Sequence, residues 1–151
     1  MVWGAMPYDG VGPLTVVVSS ITGKAYRQTL QKHFLPLVVS TRHRKKETIL
    51  EDDNATVHRA NLAKAWKKRN NLKCMEWPAQ SPDLNPIENL WMTLKRTVSA
   101  RNPSPANITE LKEVVEEEWK RIPLIHVQKL VKSMSTHVKM VIKAKGFATR
   151  Y

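Results

Sequence analysis

The sequence predicts a mixed α/β fold, a sheet with helices packed on it, in a single domain spanning residues 1–151. Short apolar runs bounded by turn-rich residues, MVWGAM, LTVVVSS, TIL and LKCMEW, have the length and composition of strands. AYRQTLQKHFLPLVV and RANLAKAWKKRNN, interleaved with them, carry apolar residues at helical spacing. The second half is helical, and 151 residues with 42% hydrophobic content suit one core.

In chain order, MVWGAM and LTVVVSS flank the turn-rich PYDGVGP and pair as a hairpin, a unit that ends at residues 22–24. Tyr26, Leu30 and Phe34 recur every fourth residue, so a helix follows, disturbed at Pro36. STRHRKKE reads as a loop or frayed end. TIL then forms a buried strand with Glu51, Asp52 and Asp53 at its C-terminal end. The basic helix after it turns Leu62 and Trp66 inward, and LKCMEW is a further short strand in which Cys74 is a buried small hydrophobe. Beyond Pro86, Ile87, Leu90 or Trp91, Leu94 and Val98 keep helical spacing with Lys95 and Arg96 on the other face. RNPSPAN breaks the chain. Asn107 and Glu110 form a capping box for a helix with Leu111, Val114, Val115, Trp119 and Ile122 apolar, interrupted at Pro123. The last helix runs from about Ile125 to Ala144 with Val127, Leu130, Val131, Met134, Val138 and Val141 inward, and Gly146 stops it.

Composition excludes some classes and favours one. No run of about 18 apolar residues exists to span a membrane. A lone cysteine cannot form an internal disulfide and MVWGAMPYDG lacks the features of a signal peptide, so an intracellular, reducing compartment is expected. Twenty-five Lys and Arg against 13 Asp and Glu give a net charge of +12, an excess that usually faces a polyanion. The cations cluster: Arg42, Arg44, Lys45 and Lys46; Lys64, Lys67, Lys68 and Arg69; and Lys129, Lys132, Lys139, Lys143, Lys145 and Arg150. Solvated helix faces would account for any one cluster. Three together, with Lys95 and Arg96 beside them, point to DNA or another nucleic acid held through its phosphates.

Two carboxylates stand out by position. Asp53 ends a strand, and Glu88 sits on the first turn of a helix behind WPAQSPDLNPIENLW, where Pro78, Pro82 and Pro86 stiffen the approach. Carboxylates converging on two divalent ions roughly 3.5–4 Å apart would serve phosphoryl transfer, and oxygen donors suit Mg²⁺ or Mn²⁺. Each also has a plain structural reading. Asn85, Pro86, Ile87 and Glu88 fit N-cap, N1, N2 and N3, so Glu88 could close a capping box, and Asp53 with Asn54 could cap the helix after it. Local pattern alone favours the caps. His43 and His58 read as surface or capping histidines, and no pair has zinc spacing. The tryptophans sit in apolar patterns and read as core.

Taken together, DDNATVHRA and WPAQSPDLNPIENLW resemble the catalytic core of the Tc-one/mariner superfamily of DDE transposases, in the branch whose third carboxylate is glutamate. MVWG near the start and SMSTHVKMVIKAKG near the end resemble further blocks of that family in the same order, so the resemblance covers nearly the whole chain. It implies a ribonuclease-H-like fold and an Asp, Asp, Glu trio that binds two Mg²⁺ or Mn²⁺ ions to cut DNA at transposon ends and join them to a target. Asp53 matches the second carboxylate and Glu88 the third, with 34 residues between them as in the family. It further implies DNA as partner, pairing with itself or a full-length transposase, no membrane, and a nuclear location, or an intracellular one in a prokaryote.

Some positions depart from the family pattern. The family's first aspartate lies on a strand upstream of the block resembling MVWG, and before Glu47 the only acid here is Asp9, in a turn. The expectation is therefore a partial catalytic domain without its first central strand and without the N-terminal DNA-reading domains, very weak or inactive alone. Thr56 stands where the family commonly has proline, and SMST where it has a proline and a basic residue. The alternative function is a non-catalytic, sequence-nonspecific DNA-binding or interaction protein of transposon origin.

Overall fold

The computed structural model describes residues 1–17, 22–44, 47–53, 55–77, 81 and 84–147. The chain divides into two compact units, one built from Met1–Gly4 and Pro13–Ser81, the other from Ala5–Gly12 and Pro82–Tyr151. The expected mixture of strands and helices is present, with two small sheets among the described residues.

In the first unit, strands β1 (Val2–Gly4) and β2 (Leu14–Val16) pair antiparallel with Trp3 opposite Thr15, forming the expected hairpin. Thr22, expected to close that hairpin unit, instead begins the next element. Its extended backbone and hydroxyl, which accepts from the Ala25 amide at 3.2 Å, cap helix α1 (Gly23–Thr29). A wide π turn, Leu30–Phe34, leads into helix α2 (Leu35–His43). Pro36 has no N–H and its ring crowds the carbonyl four residues back, so the helix loosens in the turn before it and continues. The spacing of four then puts Tyr26, Leu30, Phe34 and Val38 in the core. Ser40–His43, read as part of a loop or frayed end, is the last turn of α2.

Strands β3 (Ile49–Leu50) and β4 (Lys73–Cys74) pair parallel. Leu50 is buried, but Ile49 is half exposed, so the strand expected to be buried is covered on one side only. Cys74 is exposed, not buried: β4 is only two residues long and pairs along one partner. Helix α3 (Asn61–Arg69) buries Ala63, Trp66 and Lys67, while Leu62 is 56% exposed. The inward stripe is therefore rotated by one position from the expected one. Its start lies against α1 so closely that a Cβ on Gly23 would sit 2.6 Å from the Cβ of Ala60. Trp66 Nε1 donates to Gln31 Oε1 at 2.6 Å, which satisfies the one polar atom that the buried indole carries.

The second unit is helical: α4 (Pro86–Ser99), α5 (Ile108–Lys120) and α6 (Leu124–Lys143). Leu90 and Leu94 of α4, Trp119 of α5 and Val127 of α6 are buried, and the Trp91 and Trp119 rings stack at 5.0 Å. Trp119 Nε1 donates to the Gly12 carbonyl at 2.9 Å. The box at α5 forms: Asn107 Oδ1 accepts from the Thr109 and Glu110 amides, while Glu110 reaches back to the amide of Ala106 and not that of Asn107. Val138, expected inward on α6, is exposed, and His137 is buried beside it. The helix stops one residue before the expected Gly146: behind the C-cap Ala144, Lys145 is left-handed at φ +52° and its amide donates to the Ile142 carbonyl at 3.0 Å, while the Gly146 amide, next in line at φ +83°, donates to the Val141 carbonyl at 3.0 Å. Among the described residues no helix is long and apolar enough to cross a membrane.

Candidate carboxylate site and cationic surface

The first half of the site grows out of β3. Side chains alternate along an extended chain, so the neighbours Asp52 and Asp53 face opposite ways. The Asp52 side chain is 17% exposed and that of Asp53 61%. Inward, Asp52 Oδ2 accepts from the Tyr26 hydroxyl at 3.1 Å and from the ammonium of Lys67. Lys67 also donates to the His58 carbonyl at 3.3 Å, so one buried ammonium ties the loop at both ends. Burial, and then the Asp52 charge, push the Tyr26 hydroxyl well above its ordinary range, keeping it a neutral donor. Burial, followed by the same Asp52 charge, pushes the Glu51 carboxyl up to about 7, and its buried Oε1 has no hydrogen-bond partner among the described residues.

Outward, Asp53 Oδ1 accepts from the Ala55 amide at 3.2 Å and faces His58 Nδ1 at 2.5 Å. The short turn that permits this is closed by the His58 amide donating to the Ala55 carbonyl at 2.9 Å. The His58 ring packs on Tyr26 with centroids 4.2 Å apart. Both of these contacts fall on Oδ1, on a side chain that is largely exposed. Asn54, paired with Asp53 in the capping alternative, lies outside the described residues, as do Pro78 and Pro82.

Glu88 lies in the second unit, at the third position of α4. Asn85 is the N-cap, its side chain accepting from the Ile87 amide at 3.3 Å, and the Glu88 amide donates to the Asn85 carbonyl at 3.1 Å. Pro86 at the first helical position loses no bond there. This is the N-cap frame that the sequence predicted for Glu88. Among the described residues, no group of three or more His, Cys, Asp or Glu is gathered to hold a metal ion. The donor chemistry of Asp53 nonetheless suits Mg²⁺ or Mn²⁺: a carboxylate with one oxygen oriented and the other open to solvent.

Of the predicted DNA contacts, Lys64, Lys68 and Arg69 are exposed on α3, Lys95 and Arg96 on α4, and Lys139, Lys143 and Lys145 at the end of α6. Arg96 lines an open cleft of about 340 Å³ with Arg121 and Lys129. Arg44 is exposed, and Lys45, Lys46 and Arg150 lie outside the described residues. Two of the predicted cations have partners within the chain. Lys67 is 7% exposed and belongs to Asp52, and Arg42 donates to the Asn70 and Asn71 carbonyls at 3.0 and 2.7 Å, closing the end of α3. The signal for Lys67 was present in the sequence, since Ala63, Trp66 and Lys67 share one helical face.

Comparison with known proteins gives a consistent result. The family described as DDE superfamily endonuclease matches residues 11–124. Over its full length the chain is 35% identical to the Transposable element Tcb1 transposase of Caenorhabditis briggsae, covering 54% of that protein. It is likewise 35% identical to the Transposable element Tc3 transposase of Caenorhabditis elegans, covering 45% of it. The chain thus spans about half the length of the curated relatives it matches. In fold it is similar to the Mos1 transposase catalytic domain solved with raltegravir and Mg, with a TM-score of 0.87 over 99% of this chain and 76% of that one, at 15% identity. The Mos1 mariner paired end complex with Mn gives a TM-score of 0.88 over 99% of this chain and 44% of that one, again at 15% identity. The ribonuclease-H-like class expected from the sequence is therefore the class of the structure.

Proposed function

Because the chain belongs to the DDE superfamily endonucleases, on the Tc-one/mariner transposase branch, we propose that it carries two carboxylates, Asp53 and Glu88, of a metal-dependent DNA cleavage and strand-transfer centre. The observation that carries this reading is the contrast between two adjacent aspartates. Asp52 is consumed by Tyr26 and Lys67, whereas Asp53 faces solvent with one oxygen oriented and one open. Glu88 would be the second ligand, on a first helical turn whose Asn85 cap and Pro86 fix its backbone. When bound, Mg²⁺ or Mn²⁺ would supply activation of the attacking oxygen and charge stabilisation of the leaving one. The chain's own work is to orient the two carboxylates and to hold the DNA backbone through its exposed cations.

Exposed Lys64, Lys68 and Arg69 on one helix, with Lys95 and Arg96 on another, suit phosphate contacts, which position DNA without reading its sequence. Those exposed cations also support the second reading, a transposon-derived protein that binds DNA without cutting it. Pairing with itself or with a full-length transposase, and a nuclear or prokaryotic intracellular setting, belong to the same proposal.

Nicking of supercoiled plasmid in Mn²⁺, by the parent chain and by Asp53→Asn and Glu88→Gln, tests the reading. Metal-dependent nicking lost in both variants supports it, and nicking that persists in both overturns it. A folded parent that binds plasmid and never nicks it favours the binding reading.

A further inference from the structure

Asp53 is exposed, yet its carboxylate is held from one side. Oδ1 accepts from the Ala55 amide at 3.2 Å and faces His58 Nδ1 at 2.5 Å, and the same ring nitrogen lies 2.9 Å from the Asp53 carbonyl oxygen. Both oxygens are acceptors, so Nδ1 carries the hydrogen and donates to the residue's side chain and main chain together. The imidazole is itself fixed. Its ring lies on Tyr26 at 4.2 Å, its residue's carbonyl accepts from Lys67 at 3.3 Å, and both Tyr26 and Lys67 are bound to Asp52. Four side chains from α1, the β3 end, the following turn and α3 therefore converge on the orientation of one carboxylate.

We propose that His58 is a positioning residue for Asp53: by pinning Oδ1 it turns Oδ2 outward as the oxygen offered to a divalent ion. The inference rests on the reading of Asp53 as a metal ligand. An unrestrained aspartate samples several staggered χ1 wells, so a hydrogen bond that selects one of them removes an ordering cost from metal binding. Partners of this kind behind a ligand are worth about 10–100-fold in metal affinity. The competing account is that the histidine merely fills space over Tyr26, and it makes the opposite prediction about which feature of the ring matters.

Two substitutions separate donor from ring. His58→Phe keeps an aromatic ring on Tyr26 and removes the Nδ1 donor, whereas His58→Asn keeps a donor nitrogen near the Nδ1 position and removes the ring. Three-bond couplings about Asp53 χ1, measured by NMR on the whole chain, read the orientation without metal, and Mn²⁺ titration of the same samples reads affinity. The expected result is one χ1 rotamer in the parent and in His58→Asn, rotamer averaging in His58→Phe, and Mn²⁺ binding at least about tenfold weaker in His58→Phe alone. Averaging already present in the parent, or a single rotamer retained in His58→Phe, overturns the proposal. Mn²⁺ binding that is absent, or indifferent to Asp53→Asn, refutes the metal reading instead, and the couplings still decide whether His58 positions Asp53.

Discussion

The ammonium of Lys67 is buried against the carboxylate of Asp52, the residue that immediately precedes Asp53. A cation that composition assigns to the surface is thereby spent inside the first unit, where it fixes the loop bearing the proposed ligand.

Removing one member of that pair should cost more than removing both. Lys67→Met leaves the Asp52 charge partly buried with the Tyr26 hydroxyl as its remaining partner among the described residues, and is expected to lower unfolding stability by about 3 kcal/mol. Adding Asp52→Asn to Lys67→Met should restore part of the loss. Urea unfolding of the three variants and the parent checks this; a double variant less stable than Lys67→Met would contradict it.

Glu51 makes stability depend on pH in a direction opposite to an ordinary paired carboxylate. Its folded pKa of about 7 lies above the usual 4.5, so between those values the folded chain binds more protons than the unfolded one. Stability should then fall as pH rises through that interval and level off above it. Glu51→Gln removes the contribution, so in metal-free buffer the variant should gain on the parent as pH rises through the interval. An identical pH profile for both would be the contrary result.

Gly23 is required by space. Its φ is ordinary, but a methyl group there would meet the Ala60 Cβ at 2.6 Å, where the backbone at the start of α3 approaches α1. Gly23→Ala is expected to destabilise by about 1–3 kcal/mol despite the better helix propensity of alanine. A thermal midpoint at or above that of the parent would show that the two helices part without cost.

DNA affinity should separate exposed cations from buried ones. Binding is expected to weaken steeply with salt, and replacing Lys64 or Lys68 by Gln should lower the slope of log K against log salt by up to about 0.9 each. Lys67→Met, compared at matched folded fraction, should leave the slope unchanged because its ammonium faces Asp52. Filter binding over a salt series distinguishes these outcomes.

Much of the fold was legible because local signals agreed. The hairpin, the Asn107 cap and the four-residue spacing from Tyr26 to Phe34 all follow from short-range chemistry. Errors arose where tertiary context decides. Leu62 and Lys67 exchanged places because the inward face of α3 is set by what it packs on, and Cys74 is exposed because its strand has so little to pair with. The site shows the same division. Asp53 and Glu88 were readable as positions in a pattern, but the Tyr26, Asp52, His58 and Lys67 network joins side chains spread along the sequence from Tyr26 to Lys67 and has no signature in spacing.

The most direct test of the central claim, that Asp53 and Glu88 serve one metal centre, is Mn²⁺ binding by calorimetry to the parent, Asp53→Asn, Glu88→Gln and the double variant. The account predicts that each single substitution weakens binding and that the double variant loses much less than the two losses combined, as for two ligands of one ion. Binding unchanged by either substitution, or losses that add in full, would contradict it.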